Sequence, residues 1–326
     1  MNKNNFQIAV ISFFVIAAIL AVAVFALSGS FGGSQKVEVL LWGALPRIEV
    51  EQALSSAGLL GGTGGALSVR YEEKRPENFD TELAEALAEG RGPDMVLIPQ
   101  EGILRHKGKI LAVPYDSYSE RKFRDTFAEE GELFLGQNGV LGFPLLIDPL
   151  LMYWNRGMFS SAGLSQPPAF WDEFFTLAPK LTKKDDTGNI RKSAVALGGY
   201  ANIANAKEII SALVLQTGNS ITAFDRDGGL VSVFGDRFSA VLPPAEAATR
   251  FYTEFSDPIK SVYSWNRSLP VSDDTFTSGD LAVYFGFGSE IPAIRGKNPN
   301  LNFDIAPLPQ ARDGAAEATF GRIYAL

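Results

Sequence analysis

Between Val37 and Ile98 the chain alternates between two kinds of segment, and no other feature narrows its possible folds as much. Val37–Trp42, Leu67–Tyr71 and Met95–Ile98 are short apolar runs of strand length. The first stops at Gly43, and the third follows Gly92-Pro93-Asp94. Between them, Arg47–Ala57 carries weak helical spacing. Phe79, Leu83, Ala86 and Leu87 line one face of a helix that Gly90 and Gly92 end. A β-α-β-α-β order predicts a parallel sheet with helices on both faces. Gly58 to Gly65 holds five glycines. It lacks the Gly-Lys-Ser/Thr ending that a phosphate loop needs, so it reads as a helix-to-strand connection.

Composition bounds the chemistry. A hydrophobic fraction of 46% with 20% charged residues is that of a folding chain, and 326 residues suit two domains and an appendage. A net charge of -8 argues against nucleic acid as a partner. With no cysteine, disulfides, thiolate metal sites and a lipid-modified N-terminal cysteine are excluded. The single histidine, His106, lies in the polar run Arg105-His106-Lys107 and reads as a surface residue. Phe224–Gly229 reads as a tight turn. It lacks the regular oxygen ligands and terminal Glu of a calcium loop, so neither metal nor cofactor is expected.

Phe6 to Leu27 carries no charge and is long enough to span a bilayer. Lys3 precedes it and the next charge is Lys36, which puts the N-terminus in the cytoplasm and the rest outside. Ala26-Leu27-Ser28 also fits a cleavage site, so residues 1–35 read as a transmembrane anchor or a signal, with a Gly/Ser-rich linker.

The second informative stretch runs from Leu150 to Leu197. Leu150–Trp154 has strand length and stops at Asn155-Arg156; Gly163 closes a turn; Pro167-Pro168 forbid helix. From Trp171 the apolar residues Phe174, Phe175, Ala178 and Leu181 fall on one helical face, with Asp172 and Glu173 in its first turn. Asp185–Asn189 is a solvated turn. Further on, Ala206–Thr217 reads as a helix, and so does Pro243–Phe255 with Ala247, Ala248, Phe251 and Phe255 inward. Trp154 and Trp171 read as packing residues.

Several of these residues, taken in order, resemble a known signature. Tyr153-Trp154-Asn155-Arg156, Phe159, Ala162-Gly163-Leu164, Pro167-Pro168, Trp171-Asp172-Glu173-Phe174 and Leu181-Thr182 are similar to the extracellular solute-binding proteins of ABC importers, in the sugar-binding branch that includes maltose-binding protein. Gly92-Pro93-Asp94 before a strand and Phe276–Val283 fit the same pattern. Two positions depart from it: Phe170 stands where Ser or Thr usually caps the helix, and Pro179 sits within that helix.

The resemblance implies an α/β fold of the two-lobe periplasmic-binding-protein type (type II), each lobe a β-sheet flanked by helices, preceded by one transmembrane helix. It implies lobe 1 over residues 36–145 plus 306–326 and lobe 2 over 146–305, with crossings near Phe143–Asp148 and in Asn300–Pro309. The family pattern continues past Thr319-Phe320-Gly321, so the resemblance also implies a C-terminally shortened chain. Its expected partners are a small-molecule solute, most simply a carbohydrate, and ABC permease subunits, with the membrane reached through the N-terminal helix.

Sugars offer hydroxyls at their edges and C–H patches on their faces, so a site needs flat aromatics and planar polar groups. In open α/β sheets ligands lie outside the carboxyl ends of strands. That rule selects Trp42 and Gly43 after the first strand, Gln100 and Glu101 after the third, and Asp148 at the crossover. The resemblance gives Asp148 the place of a sugar-contacting acid. It puts Tyr200, Trp265, Phe285 and Phe287 where family aromatics meet ligand. Strand alternation within Tyr284–Phe287 sends at least one of those rings into the core. No carboxylate pair is marked at catalytic spacing, so the chain reads as a binder and not a glycosidase. A membrane-anchored sensing domain, or a binder of a peptide or polyol, fits the same sequence features.

Overall fold

The computed structural model describes residues 37–56, 58–59, 67–106, 108–226, 229–237, 242–312 and 317–326. Phe6–Leu27 and the linker after it lie outside the described residues. Among the described residues no helix is long and apolar enough to cross a membrane. The described residues form two compact units, one up to Ile147 together with Arg322–Leu326, the other Asp148–Gly321.

In the first unit, β1 (Val37–Gly43) pairs in parallel with both β2 (Leu67–Glu73) and β3 (Met95–Pro99). The C-terminal strand β13 (Gly321–Ala325) joins β3 antiparallel, Tyr324 opposite Pro99. Strand alternation divides the side chains between two cores. Val39, Leu41, Val69, Tyr71 and Leu97 pack with Val50 and Leu54 of the helix Arg47–Ser56. Trp42 and Ile98 pack on the other face with Phe79 and Leu83 of the helix Phe79–Ala88 and with Ile103 of the helix Gln100–His106. Each helix contributes only its apolar stripe, and the sheet is apolar on both faces because both are covered.

The helix Phe79–Ala88 ends as the sequence suggests. Gly90 has φ +69°, and the amides of Gly90 and Arg91 bond back to Leu87 and Ala86. The remaining elements of this unit are the pair β4 (Val113–Pro114) and β5 (Gly139–Val140), the 3₁₀ helix Glu129–Phe134, and the helix Glu120–Thr126, capped by Ser119 Oγ on the Lys122 amide at 3.2 Å. His106 is not on the surface: it is buried at 2% exposure, its Nε2 2.9 Å from Asp80 Oδ1, with the Phe79 ring edge-on to it. Asp80 sits one helix away and also takes Arg105, so the polar run turns one member inward to a partner the sequence does not place.

The chain passes to the second unit within β6 (Pro144–Asn155). There β11 (Leu281–Phe287) lies between β6, antiparallel, and β8 (Ile190–Val195), parallel; β7 (Lys183–Lys184) borders β8, and β12 (Phe303–Ala306) takes the other side of β6. All seven residues of β11 are buried, which a central strand covered on both faces requires. A small hairpin of β9 (Thr222–Phe224) and β10 (Leu230–Ser232) stands apart from this sheet, its loop drawn in by the Gly229 amide on Asp225 Oδ1 at 2.7 Å.

Asn155 does more than stop β6. Its side chain accepts the Met158 amide at 3.0 Å and caps the helix Arg156–Ser161. That helix closes at Gly163, φ +72°, with Gly163 and Leu164 bonded back to Ser160 and Phe159. The Trp171 segment begins as one 3₁₀ turn, Trp171–Glu173, before the helix Phe174–Leu181, and Pro179 falls in its last turn. Trp154 and Trp171 are both core residues. The helix Pro244–Glu254 buries Ala245, Ala248 and Tyr252, Phe255 follows it into the core and Phe251 packs half-buried against Trp171 and Phe255, so of the expected inward residues only Ala247 lies outside. Beyond the helix Ala206–Leu215, Gln216 is fully buried. It accepts from Trp171 Nε1 (2.8 Å) and the Ala311 amide (3.1 Å) and donates to the carbonyls of Pro309 and Ala318 (both 2.9 Å). The segment from Asn300 to Pro309 was expected to return to the first lobe. Within it, Phe303–Ala306 pairs along β6, opposite Met152–Asn155, and the second compact unit runs to Gly321.

Candidate functional site

The carboxyl ends of β1, β2 and β3 lie at one edge of the first unit's sheet, since Gly43 is opposite both Glu73 and Leu97. Gly43 is glycine for a packing reason. A Cβ there would stand 2.8 Å from Tyr71 Oη and 3.1 Å from Leu97 Cβ. Tyr71 in turn donates to the Leu45 carbonyl at 2.7 Å, and burial, with Glu73 nearby, pushes its phenol well above the usual range. Glu73 also accepts the Arg47 amide at 2.8 Å, which places a carboxylate at the N-terminus of the helix Arg47–Ser56.

Trp42 is buried at 7% exposure, and the Lys74 ammonium sits 3.7 Å from the centroid of its ring. Lys74 Nζ also lies 3.6 Å from Glu72 and 3.4 Å from Glu82, so the cation is shared between a π face and two carboxylates. The indole N–H of Trp42 has no hydrogen-bond partner among the described residues. Arg47 and the run Glu72 to Glu77 line an open groove at this edge. Gln100 turns its Oε1 to the Ile323 amide at 2.6 Å and thereby holds β13; Glu101 is exposed in the first turn of its helix. Lys74 was not singled out from sequence, yet it follows β2 directly, and the same carboxyl-end rule reaches it.

In the second unit the carboxyl ends of β8 and β11 carry the Gly198–Tyr200 loop and Gly288-Ser289. Asp148 is buried at 6% exposure. Its two oxygens accept from the Ser289 amide (2.9 Å) and hydroxyl (2.7 Å), so in this state the carboxylate holds the turn after β11. Tyr200 is 77% exposed. The aromatic partners expected with it are elsewhere. Trp265 (0%), Phe285 (2%) and Phe287 (1%) lie in the core. The Phe285 ring meets Trp171 at 5.2 Å and Phe174 at 6.2 Å between centroids, and Trp265 Nε1 donates to Asn202 Oδ1 at 3.1 Å. Both faces of β11 are covered, so neither of its phenylalanines has a ring free for a ligand, and these three residues act as packing.

Among known proteins, a binding protein of Brucella abortus (strain 2308) is 25% identical over 251 residues, 73% of this chain and 54% of that protein. The chain thus spans about half the length of the curated relatives it matches. An ABC substrate-binding protein from Listeria monocytogenes, solved with cycloalternan, superposes with a TM-score of 0.65 at 15% identity, over 90% of this chain and 71% of that one. The galacto-N-biose/lacto-N-biose I-binding protein of the ABC transporter from Bifidobacterium longum, solved with lacto-N-biose, gives 0.65 at 17% identity over 91% and 71%. At such identities the superpositions establish the substrate-binding-protein fold. The family profile goes further, matching residues 62–323, and the chain belongs to the bacterial extracellular solute-binding protein family.

Proposed function

We propose that this chain is the solute-binding component of an ABC importer and that its ligand is a sugar or oligosaccharide. The observation that carries the reading is Tyr200, a large aromatic left 77% exposed on an otherwise hydrogen-bonded loop at the carboxyl edge of the second unit's sheet. A flat apolar face next to polar groups is what a pyranose ring requires. At the corresponding edge of the first unit, Trp42, Gly43, Gln100 and Glu101 are the proposed contacts, with Lys74 and Glu72 beside them. Asp148 is retained through the turn it fixes. The solved relatives with bound saccharides support the choice of ligand class.

In this reading each unit is one lobe, ligand capture is a hinge motion, and the chain carries out no chemistry on what it binds. The binding part works outside the cytoplasm, tethered by Phe6–Leu27, and delivers to permease subunits in the membrane. Calorimetry of the purified protein with maltotriose, mannobiose, lacto-N-biose, free amino acids and short peptides tests the proposal. Saturable heat with a saccharide, and recovery of that saccharide intact, is the expected result. Binding of peptides with no response to any saccharide overturns the ligand class, and cleavage of the sugar overturns the binding-protein reading.

A further inference from the structure

The loop that presents Tyr200 is held from three separate segments. Gly198 has φ +94°, and a Cβ there would stand 2.6 Å from the Ser256 side chain, so the backbone can approach Ser256 only as glycine. Ser256 Oγ donates to the Gly198 carbonyl at 3.0 Å, and Tyr252 Oη donates to the Gly199 carbonyl at 2.6 Å. On the far side of Tyr200, Asn202 uses every polar atom of its side chain. Its Nδ2 donates to the carbonyls of Asn266 (3.0 Å) and Leu269 (2.9 Å), and its Oδ1 accepts the Trp265 indole N–H at 3.1 Å. The Asn202 carbonyl accepts the Ser272 amide at 3.0 Å, and Ser272 Oγ takes the Ala204 amide at 2.9 Å. Trp265 itself is fully buried, so its N–H is fixed in direction by the core.

From this we infer that Asn202 and Trp265 are positioning residues for Tyr200. They hold the loop so that the exposed phenol ring meets a ligand without the loop having first to be ordered. This rests on the reading of Tyr200 as a ligand contact. A loop fixed in advance loses no conformational freedom on binding, and that saved ordering appears as affinity. Trp265 therefore acts on the ligand through one hydrogen bond to Asn202 and the two residues of chain from there to Tyr200, while its own ring stays in the core.

Two conservative variants separate this role from a general structural one. Trp265→Phe keeps an aromatic ring and removes the donor. Asn202→Asp keeps the acceptor and removes both amide donors. Hydrogen exchange is measured on each variant without ligand, and calorimetry with the tightest-binding saccharide of the panel is run in the wild-type and Tyr200→Ala backgrounds. The expected result is faster exchange over Gly199–Ile203 with the helix Ala206–Leu215 unchanged, and an affinity loss of about fivefold that vanishes when Tyr200 is already alanine. Unchanged loop exchange in both variants overturns the inference, and so does an affinity loss of equal size in the Tyr200→Ala background. If the wild-type protein binds no saccharide, the ligand reading fails. The positioning claim is then decided by exchange alone: faster loop exchange supports it and unchanged exchange overturns it.

Discussion

The two units carry an aromatic at the carboxyl edge of their sheets in opposite conditions. Trp42 is buried, with a cation on its face and two carboxylates holding that cation. Tyr200 is bare, and the loop beneath it is fixed at Gly198, Gly199, Asn202 and Ala204. In the proposed site, Trp42 has to be uncovered before a ligand can meet it, whereas Tyr200 is already bare. The same fold thus gives one edge a covered ring and the other a bare ring on a bonded loop, and the difference lies in the segment that follows each strand. After β2 that segment opens with a lysine within reach of the neighbouring indole. Two residues beyond β8's end, past Ala196-Leu197, lies the pair Gly198-Gly199, whose carbonyls are taken by Ser256 and by Tyr252 of the helix Pro244–Glu254.

The largest test of this contrast sets buried against exposed rings in the second unit. Trp265→Ala removes a fully buried indole and leaves Asn202 Oδ1 unpaired, so a loss of about 3–5 kcal/mol is expected in urea unfolding. Tyr200→Ala should leave the unfolding midpoint where it is. Similar destabilisation by both would mean that the Tyr200 loop carries the core and the contrast is false.

Alkali discriminates the units next. Burial raises the phenol pKa of Tyr153, Tyr252 and Tyr284 in the second unit, with Glu290 adding to the effect at Tyr153 and Tyr284. The first unit has Tyr71 and the half-buried Tyr115 shifted the same way. A phenol raised in the folded state contributes stability that is present below the unfolded value of about 10 and is lost as pH climbs through and above it. The second unit should therefore open first above that pH, read as earlier loss of amide protection in β11 than in β1. Earlier loss in β1 would break the comparison.

On the binding side, Tyr200→Ala should weaken the tightest saccharide by about 2 kcal/mol, more than tenfold, with no change of melting temperature. An unchanged dissociation constant would remove Tyr200 from the site. The smallest expected effect belongs to Lys74→Met, which takes the cation off Trp42 and should change tryptophan emission. If the ammonium only covers the ring, binding strengthens by about threefold, the worth of a cation–π contact of about 0.5–1 kcal/mol. Weaker binding instead would make Lys74 a ligand contact and the covered edge as ready as the bare one.

Sequence made the first unit's frame legible because its strands are uninterrupted apolar runs with glycine or proline at their borders. β1, β2 and β3 fall where Val37–Trp42, Leu67–Tyr71 and Met95–Ile98 put them. Tyr200 was reachable only through the family resemblance, beside Gly198-Gly199, and its exposure is what the fold adds. Trp265 was misplaced because Trp265-Asn266-Arg267 has no period to fix its side, and only the Asn202 contact reveals which way the indole turns. Phe285 and Phe287 were misplaced for another reason. A strand buried on both faces shows no alternation, and β11 has seven buried residues in a row. The pairing of β12 with β6 was illegible because nothing local in Phe303–Ala306 specifies which strand it will meet. His106 likewise needed Asp80, which lies on a different helix.

Gln216 sets a limit on how this sequence can vary. Its amide reads two carbonyls with its nitrogen and two N–H groups with its oxygen, and the side chain is fully buried. Glutamate has nearly the same shape and is one nucleotide change from glutamine in the genetic code, so it is within reach of a single mutation. It would set a carboxylate oxygen against the carbonyls of Pro309 and Ala318. The neighbouring sequence that looks most conservative is therefore closed to this chain. The two segments that Gln216 joins, Trp171 on one side and Pro309 to Ala318 on the other, can drift only in ways that leave those four atoms in place.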